Sequence, residues 1–217
     1  MQTITNIVPD PRRQGRFLIA VDGEPRATLS VEAIDRLRLA QGKLLDDRLE
    51  LEIARETSVL EVFDRALNML ALAARSSEDL RRRLVKKGEA PEIVQVAIER
   101  LQRAGFLDDA SFARQFARSK VLGAGLSRRR LIQELSRKGV PRELSSEAVD
   151  SVFEDEHIDD AETIERVARK KLRSLAKLEP RIRARRLFAF LARRGYDSDD
   201  ISRVVRELGG SSEVGDE

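Results

Sequence analysis

The sequence predicts a mainly α-helical protein: an elongated array of three tandem three-helix repeats, preceded by a small N-terminal segment with about three short β-strands and one or two helices. Two observations lead to this prediction. Leu, Ala, Arg and Glu dominate, 36% of the residues are charged and only 4% are aromatic, a composition typical of helices. In addition, one pattern of leucines, basic residues and a glycine occurs three times, centred on Gly88, Gly139 and Gly195.

The glycine fixes the register of each repeat. Two leucines lie eight and four residues before it, two basic residues directly precede it, and apolar residues follow 9, 10 and 13 positions later. The basic pairs are Lys86 and Lys87, Arg137 and Lys138, and Arg193 and Arg194. Because such three-helix units each leave an apolar flank uncovered, we expect them to stack through nearest-neighbour contacts.

The N-terminal segment has β-strand character before it becomes helical. The β-prone stretches are residues 4–8, 16–21 and 27–29. The pair Asp22-Gly23 predicts the turn into the third stretch. Ser30 is expected to cap a helix over residues 31–40, and a further helix is expected over 46–55. This segment is too small to form a large core by itself, so we expect it to pack against the helices that follow.

From residue 57 onward the apolar residues follow a helical period. The predicted divisions are an N-terminal α/β extension (1–56), three three-helix repeats (57–107, 108–155 and 156–208) and a disordered acidic tail (209–217). The expected N-caps are Thr57-Ser58, Ser76 or Ser77, Asp108-Asp109, Ser127 and Asp159-Asp160. Pro91, Pro141 and Pro180 are expected at or just before helix starts, and each repeat glycine is expected in the left-handed conformation at a helix end.

Several classes of function are not supported. The chain has no Cys, which excludes disulfides, zinc-thiolate sites and thiol catalysis. N-capping explains the two acidic pairs better than metal binding does, and His157, the single histidine, has no visible catalytic partner. Gly123-Ala124-Gly125 lacks the GK[ST] of a phosphate loop; it favours a sharp turn between helices, with an anion site as the alternative. We therefore expect no enzymatic activity, cofactor, metal or small-molecule substrate.

The chain also gives no sign of a membrane role. No apolar run approaches the roughly 20 residues needed to span a bilayer, and the N-terminus lacks the apolar core of a signal peptide. We expect a soluble, cytoplasmic protein. Its net charge of +3 is nearly neutral, but a modestly basic helical body lies between slightly acidic ends. That distribution would suit contact with an acidic protein, a nucleoprotein or phosphates.

The candidate binding residues are basic. The pair before each repeat glycine is explained first by capping of a helix C-terminus, with partner binding as the alternative. Further arginines, expected in the first turns of middle helices, would oppose the helix dipole there. They are Arg128, Arg129 and Arg130 in the second repeat, and Arg183, Arg185 and Arg186 in the third. They indicate either a binding face for carboxylates or phosphates, or a solvated surface. The first repeat holds Glu78 and Asp79 in the places of Arg129 and Arg130.

Three runs, SSEDLRRRLVKKG (76–88), GFLDDASFARQFARS (105–119) and GAGLSRRRLIQELSRKGV (123–140), closely resemble the bacterial RecX family, regulators of the recombinase RecA. The resemblance covers roughly residues 57–208, and the N-terminal segment resembles the extension of some members. It implies a protein of tandem three-helix repeats that lies along the groove of RecA filaments. It further implies modulation, usually inhibition, of strand exchange, ATP hydrolysis and co-protease activity in DNA repair, recombination and the SOS response. The third repeat departs most, with five added residues and Gly195-Tyr196.

Two alternatives remain open at this point: a helical module that binds single- or double-stranded DNA directly without RecA, and a purely structural scaffold. The residues predicted to contact a RecA filament or its DNA are Arg128, Arg129, Arg130, Arg185 and Arg186, together with the basic pairs Lys86, Lys87, Arg137, Lys138, Arg193 and Arg194.

Overall fold

The computed structural model describes residues 2–210 of the 217-residue chain. The chain divides into two compact units, Met1–Leu107 and Asp108–Glu217. The described residues form ten helices and four strands, so the prediction of a mainly α protein with three three-helix repeats is confirmed.

The first unit opens with an antiparallel sheet. Its strands are β1 (Gln2–Pro9), β2 (Arg16–Val21), β3 (Glu24–Ser30) and β4 (Leu44–Leu45), in the order β3-β2-β1-β4. The three predicted strands are present, and Asp22 and Gly23 form the predicted turn with φ of 51° and 91°. The fourth strand was not predicted, because two residues are too few to show an alternating pattern.

Four helices complete the first unit: α1 (Val31–Arg36), α2 (Asp47–Leu72), α3 (Ser77–Lys86) and α4 (Pro91–Arg103). Ser30 caps α1 as predicted, accepting a hydrogen bond from the Ala33 amide at 3.3 Å. The helix is shorter than predicted, since it ends at Arg36 and Arg38 follows with a φ of 49°.

The predicted helix break near residue 57 is wrong. Helix α2 runs through it without interruption for 26 residues, with Asp46 as its N-cap. The hydroxyls of Thr57 and Ser58 donate to the carbonyls of Ile53 (2.9 Å) and Ala54 (3.1 Å), one turn back in the same helix. Ser and Thr satisfy their hydroxyls in this way inside helices, and no Gly or Pro interrupts the segment.

This long helix contributes buried side chains to two hydrophobic cores of the first unit. Ile53 in its first half packs with Ile4, Ile19 and Leu29 of the sheet. Its second half, from Val59 onward, packs with the apolar residues of α3 and α4. The N-terminal segment packs on the helix that follows it, as its small size led us to expect, but it shares that helix with the first repeat, which was not expected.

The second unit contains α5 (Asp109–Ala124), α6 (Arg128–Arg137), α7 (Arg142–Asp155), α8 (Asp160–Arg173), α9 (Pro180–Arg193) and α10 (Ser198–Gly210). Helices α5–α7 share one core and α8–α10 another. The repeated leucines are fully buried in all three repeats: Leu80, Leu84, Leu131, Leu135, Leu187 and Leu191. The predicted tail starts inside α10, which includes Gly209 and Gly210; residues 211–217 lie outside the described residues.

The other predicted caps are confirmed. Ser76 rather than Ser77 caps α3, and Ser127, Asp108 and Asp159 cap α6, α5 and α8. The repeat glycines Gly88, Gly139 and Gly195 have φ of 95°, 81° and 86°, the left-handed conformation that ends a helix. Over residues 2–210, no helix is both long and apolar enough to cross a membrane.

Candidate partner-binding surface

The predicted binding residues lie on the middle helices of the repeats, α3, α6 and α9, and directly after them. On α3, Glu78 and Asp79 pair with arginines of the same helix and with Arg75 just before it. Asp79 accepts hydrogen bonds from Arg75 (3.0 Å) and Arg83 (2.9 Å). Burial alone would raise the pKa of Asp79, but these two guanidiniums lower it below its ordinary value. Lys86 and Lys87, at the end of the helix, are exposed and form no ion pair within the described residues.

On α6 the three arginines have different surroundings. Arg128 donates to Asp150 (2.8 Å) and to Asp160 (2.9 Å), and its guanidinium lies 4.0 Å from the centroid of the Phe153 ring. Arg128 therefore links the second repeat to the start of α8. That internal role accounts for a cation at an unfavourable helix start, and a contact of Arg128 with a partner remains only a prediction.

The two arginines that follow Arg128 differ in their exposure and in their ion pairs. Arg130 is half-buried and donates to Glu134 at 3.1 Å. Arg129 is exposed and forms no ion pair in the part of the chain that the structure describes. At the other end of α6, the Lys138 ammonium lies 5.2 Å from the centroid of the Phe116 ring, and Arg137 is exposed. Of the three arginines at the helix start, Arg129 is thus the one without an ion pair among the described residues.

After α9, the third repeat is joined to the second by Arg194 and Tyr196. Arg194 donates to the Ala124 carbonyl at 2.8 Å, its guanidinium lies 3.7 Å from the Phe190 centroid, and its own carbonyl accepts from the Ser127 amide at 3.1 Å. Tyr196 is buried and donates to the Gly125 carbonyl at 3.0 Å. Burial and the charge of Asp160 raise the pKa of Tyr196 to about 12. Arg194 thus joins two repeats, a role beyond the helix capping that the sequence predicted.

In the sequence, the one sign of this contact between the second and third repeats was Gly195-Tyr196, where the third repeat departs from the pattern of the other two. A Cβ at Gly195 would lie 2.5 Å from the Cβ of Arg130 and 2.7 Å from the Ser127 hydroxyl. Glycine is therefore required there both by its left-handed backbone and by the close approach of α6.

Helix α9 carries five arginines and no acidic residue. Arg185 and Arg186 are exposed and form no ion pair among the described residues; they lie in the second turn, not the first as predicted. Two large apolar side chains, Ile182 and Phe188, are also exposed on this helix. Arg193 is exposed at its end. This surface can therefore attract anions, and its exposed apolar side chains can pack against apolar groups of a partner.

Two acidic residues considered above as metal ligands act as helix caps. Within residues 2–210, no group of three or more His, Cys, Asp or Glu is placed to hold a metal ion. Asp108 and Asp159, considered above as metal ligands, use their carboxylates to accept backbone amides of α5 and α8 at 2.9–3.0 Å.

Comparison with known proteins gives a consistent result. Family models for the first, second and third three-helix domains of RecX match residues 63–101, 108–149 and 158–205. Regulatory protein RecX of Amycolatopsis mediterranei is 35% identical over 144 residues, 64% of this chain and 78% of that protein. Regulatory protein RecX of Bacillus subtilis is 28% identical over 210 residues, 96% of this chain and 78% of that protein.

Solved structures show the same fold. A crystal structure of regulatory protein RecX aligns with a TM-score of 0.76 at 21% identity, covering 98% of this chain and all of that one. The crystal structure of RecX from Lactobacillus salivarius aligns with a TM-score of 0.56 at 18% identity, over 70% of this chain. The resemblance drawn from the sequence is confirmed, and the chain belongs to the RecX family of regulatory proteins.

Proposed function

We propose that the protein binds RecA nucleoprotein filaments and modulates, mostly by inhibition, the recombinase, ATPase and co-protease activities of RecA. Membership of the RecX family supports a regulatory role. The observation that carries the proposal is the surface of α9, where Arg185 and Arg186 are exposed without ion pairs on a helix that has no acidic residue.

This surface suits an acidic protein partner. Unpaired guanidiniums form charge-assisted hydrogen bonds with carboxylates, and Ile182 and Phe188 add apolar area that a partner would cover. Single exposed charge pairs contribute little, typically about 0.2–1 kcal/mol each. Several contacts made at once by tandem repeats raise the overall affinity far above that of one contact. A regulator of this kind needs no catalytic group, because selective binding to one state of a filament shifts its equilibrium.

We divide the predicted residues into two groups by their exposure and their contacts within the chain. The exposed residues without ion pairs are the expected contacts: Arg129, Arg185, Arg186, Arg193, Lys86 and Lys87. Arg128, Arg130 and Arg194 are expected to act as positioning residues, because each already contacts other parts of the second unit.

The test measures RecA-dependent ATP hydrolysis on single-stranded DNA with increasing amounts of the protein. Inhibition is expected at concentrations too low to coat the DNA, and the double variant Arg185→Glu/Arg186→Glu should weaken it by at least tenfold. The matched control is Arg55→Glu/Arg114→Glu, which makes the same charge change at two exposed helical positions outside the predicted set.

Unchanged inhibition by the α9 variant, with an unchanged circular dichroism spectrum, would refute the assignment of this surface. Binding to bare DNA is measured in parallel. Inhibition that follows DNA coverage alone would favour a DNA-binding module that acts without RecA, and its affinity would fall steeply with salt.

A further inference from the structure

A cavity of about 490 Å³ lies within the first unit, where β2 and α1 of the N-terminal segment meet α2 and α4 of the first repeat. Cavities of about 300–1,000 Å³ are the size that small organic ligands occupy. We call this cavity the arginine pocket, after its charged lining residues: Arg16, Glu32, Arg36, Glu56, Arg100 and Arg103. None of the residues predicted to contact RecA lines it.

The most buried charged residue of the pocket is Glu56, which is 8% exposed. Arg100 donates to both of its carboxylate oxygens, at 2.8 and 2.9 Å, and Arg36 pairs with it at 2.5 Å. Each guanidinium uses one terminal nitrogen, Nη2, and neither has another ion pair or hydrogen bond of its side chain among the described residues. A guanidinium carries five N–H donors, so both arginines keep donors for a ligand.

Arg103 lines the pocket from the last turn of α4, and its charge is not compensated. It is exposed and forms no ion pair within residues 2–210; its Nε donates only to the backbone carbonyl of Glu99, at 3.4 Å. The carboxylate of Glu99 accepts from Gln95 instead, at 2.7 Å. Arg103 is therefore available for a charge-assisted hydrogen bond with an anion.

The lining carries more positive than negative charge. It holds four arginines and two glutamates, and Asp64 offsets Arg16, which donates to it at 2.6 Å. One positive charge therefore remains without a counterpart. A singly charged anion would neutralise it, whereas a ligand with many charges, such as a polyphosphate, would bring negative charges that the pocket does not pair.

The other lining residues are mostly apolar, which adds a second requirement for a ligand. Leu60 is buried, and the half-buried Phe63 ring packs edge-on against Phe106, with the ring centroids 6.3 Å apart. Ala33 and Ala104 contribute only methyl groups and leave the space between the arginines open. An apolar body in this space would cover these side chains and gain from removal of apolar surface from water.

We propose that the arginine pocket binds a small organic acid with a single carboxylate and an apolar body. The carboxylate contacts the free donors of Arg36, Arg100 and Arg103, and the body packs against Leu60 and Phe63. The surplus charge favours an acid over a neutral compound, and the volume favours a small molecule over a folded partner. The inference goes beyond the proposed function, because it involves neither RecA nor the residues predicted to contact it.

The experiment compares two probes, phenylpropionate and phenylpropanol, which share an apolar body and differ in charge. Titrations of the full-length protein followed by saturation-transfer NMR measure both dissociation constants. The wild-type protein should bind the acid about fivefold more tightly than the alcohol, because charge-assisted hydrogen bonds hold the carboxylate. Arg103→Gln should remove most of that preference and leave the affinity for the alcohol unchanged. The matched control Arg114→Gln, at an exposed helical position of the second unit, should change neither affinity.

A second variant, Ala104→Leu, tests the place of binding. It adds a larger side chain to the lining at an exposed position, so it should weaken binding of both probes and leave the circular dichroism spectrum unchanged. The inference is overturned if the wild-type protein shows no saturable binding of phenylpropionate, if it binds acid and alcohol equally, or if Ala104→Leu binds both as the wild type does. Equal losses in Arg103→Gln and Arg114→Gln would also overturn it, as would full displacement of phenylpropionate by equimolar acetate, which would leave a site for bare anions.

Discussion

Helices α3 and α9 occupy the same place in the first and third repeats, yet their charges are arranged in opposite ways. Both bury two leucines four residues apart, and both end before a glycine with positive φ. The first turn of α3 contains Glu78 and Asp79, and Asp79 pairs with the arginines around it. Helix α9 has five arginines and no acid. The shared residues therefore build the repeat, while the differing ones determine which surface has charge left for a partner.

The glycines after these helices show a second difference. Gly88 follows α3 in open space, and a Cβ at this position would meet nothing within 4 Å. Gly195 follows α9 at the joint between the second and third repeats, where α6 leaves no room for a side chain. The same position of the repeat pattern therefore only ends a helix in the first repeat, whereas in the third it also permits contact between repeats.

The largest expected effect is a difference in stability between alanine variants of these two glycines. Gly195→Ala should destabilise the protein by about 3 kcal/mol, because a left-handed alanine costs about 1–2 kcal/mol and overpacking adds a comparable amount. Gly88→Ala should cost about 1 kcal/mol, since only the backbone cost applies. Urea unfolding followed by circular dichroism measures both. Equal losses in the two variants would show that the contact with α6 adds nothing.

Much of this architecture could be predicted from the sequence because it depends on local rules. Leucine spacing, serine and aspartate caps and the glycine at each helix end act within a few residues, and each is visible in the chain. The continuous α2 was missed because Thr57 and Ser58 are good caps as well as tolerable helix residues, and only their hydrogen bonds distinguish the two.

The candidate site was harder to predict because charge pairing is not local. Arg128, Arg129 and Arg130 are equivalent in the sequence, but Arg128 meets Asp150 and Asp160, which lie 22 and 32 residues away. The same applies to Arg194, whose carbonyl partner Ala124 lies 70 residues away. Which cation faces solvent depends on how the second and third repeats pack together, and no spacing within one repeat encodes that.

A smaller effect on stability is expected from the buried Tyr196 hydroxyl, which lies where the second and third repeats meet. Tyr196→Phe should cost about 1 kcal/mol, because it leaves the Gly125 carbonyl without its donor. The pKa of Tyr196 rises from 10.0 to about 12 on folding, so its contribution is complete below pH 10 and is lost as the pH rises toward 12. Unfolding free energies measured between pH 8 and about 12 should show a loss in the wild-type protein that is reduced in the variant. A pH dependence identical in the two proteins would contradict this assignment.

The smallest expected effect compares the paired Asp79 of α3 with the exposed Arg185 of α9. Asp79→Asn should lower the free energy of unfolding by about 0.5–1 kcal/mol at pH 7, because it removes a carboxylate that is paired with Arg75 and Arg83. The pKa of Asp79 is lowered on folding, so this contribution is present above the ordinary pKa of 3.8 and disappears as the pH falls through the folded value.

The matched variant on α9 is Arg185→Gln, which removes an exposed charge that has no ion pair in the described residues and should change stability by less than about 0.5 kcal/mol at any pH. Denaturant unfolding at pH 7 and pH 3 compares the two. If Arg185→Gln were as costly as Asp79→Asn, the arginines of α9 would be engaged within the protein, and the case for a partner on that helix would lose its basis. A neutral Arg185→Gln that still weakens RecA inhibition would separate binding from stability at one residue.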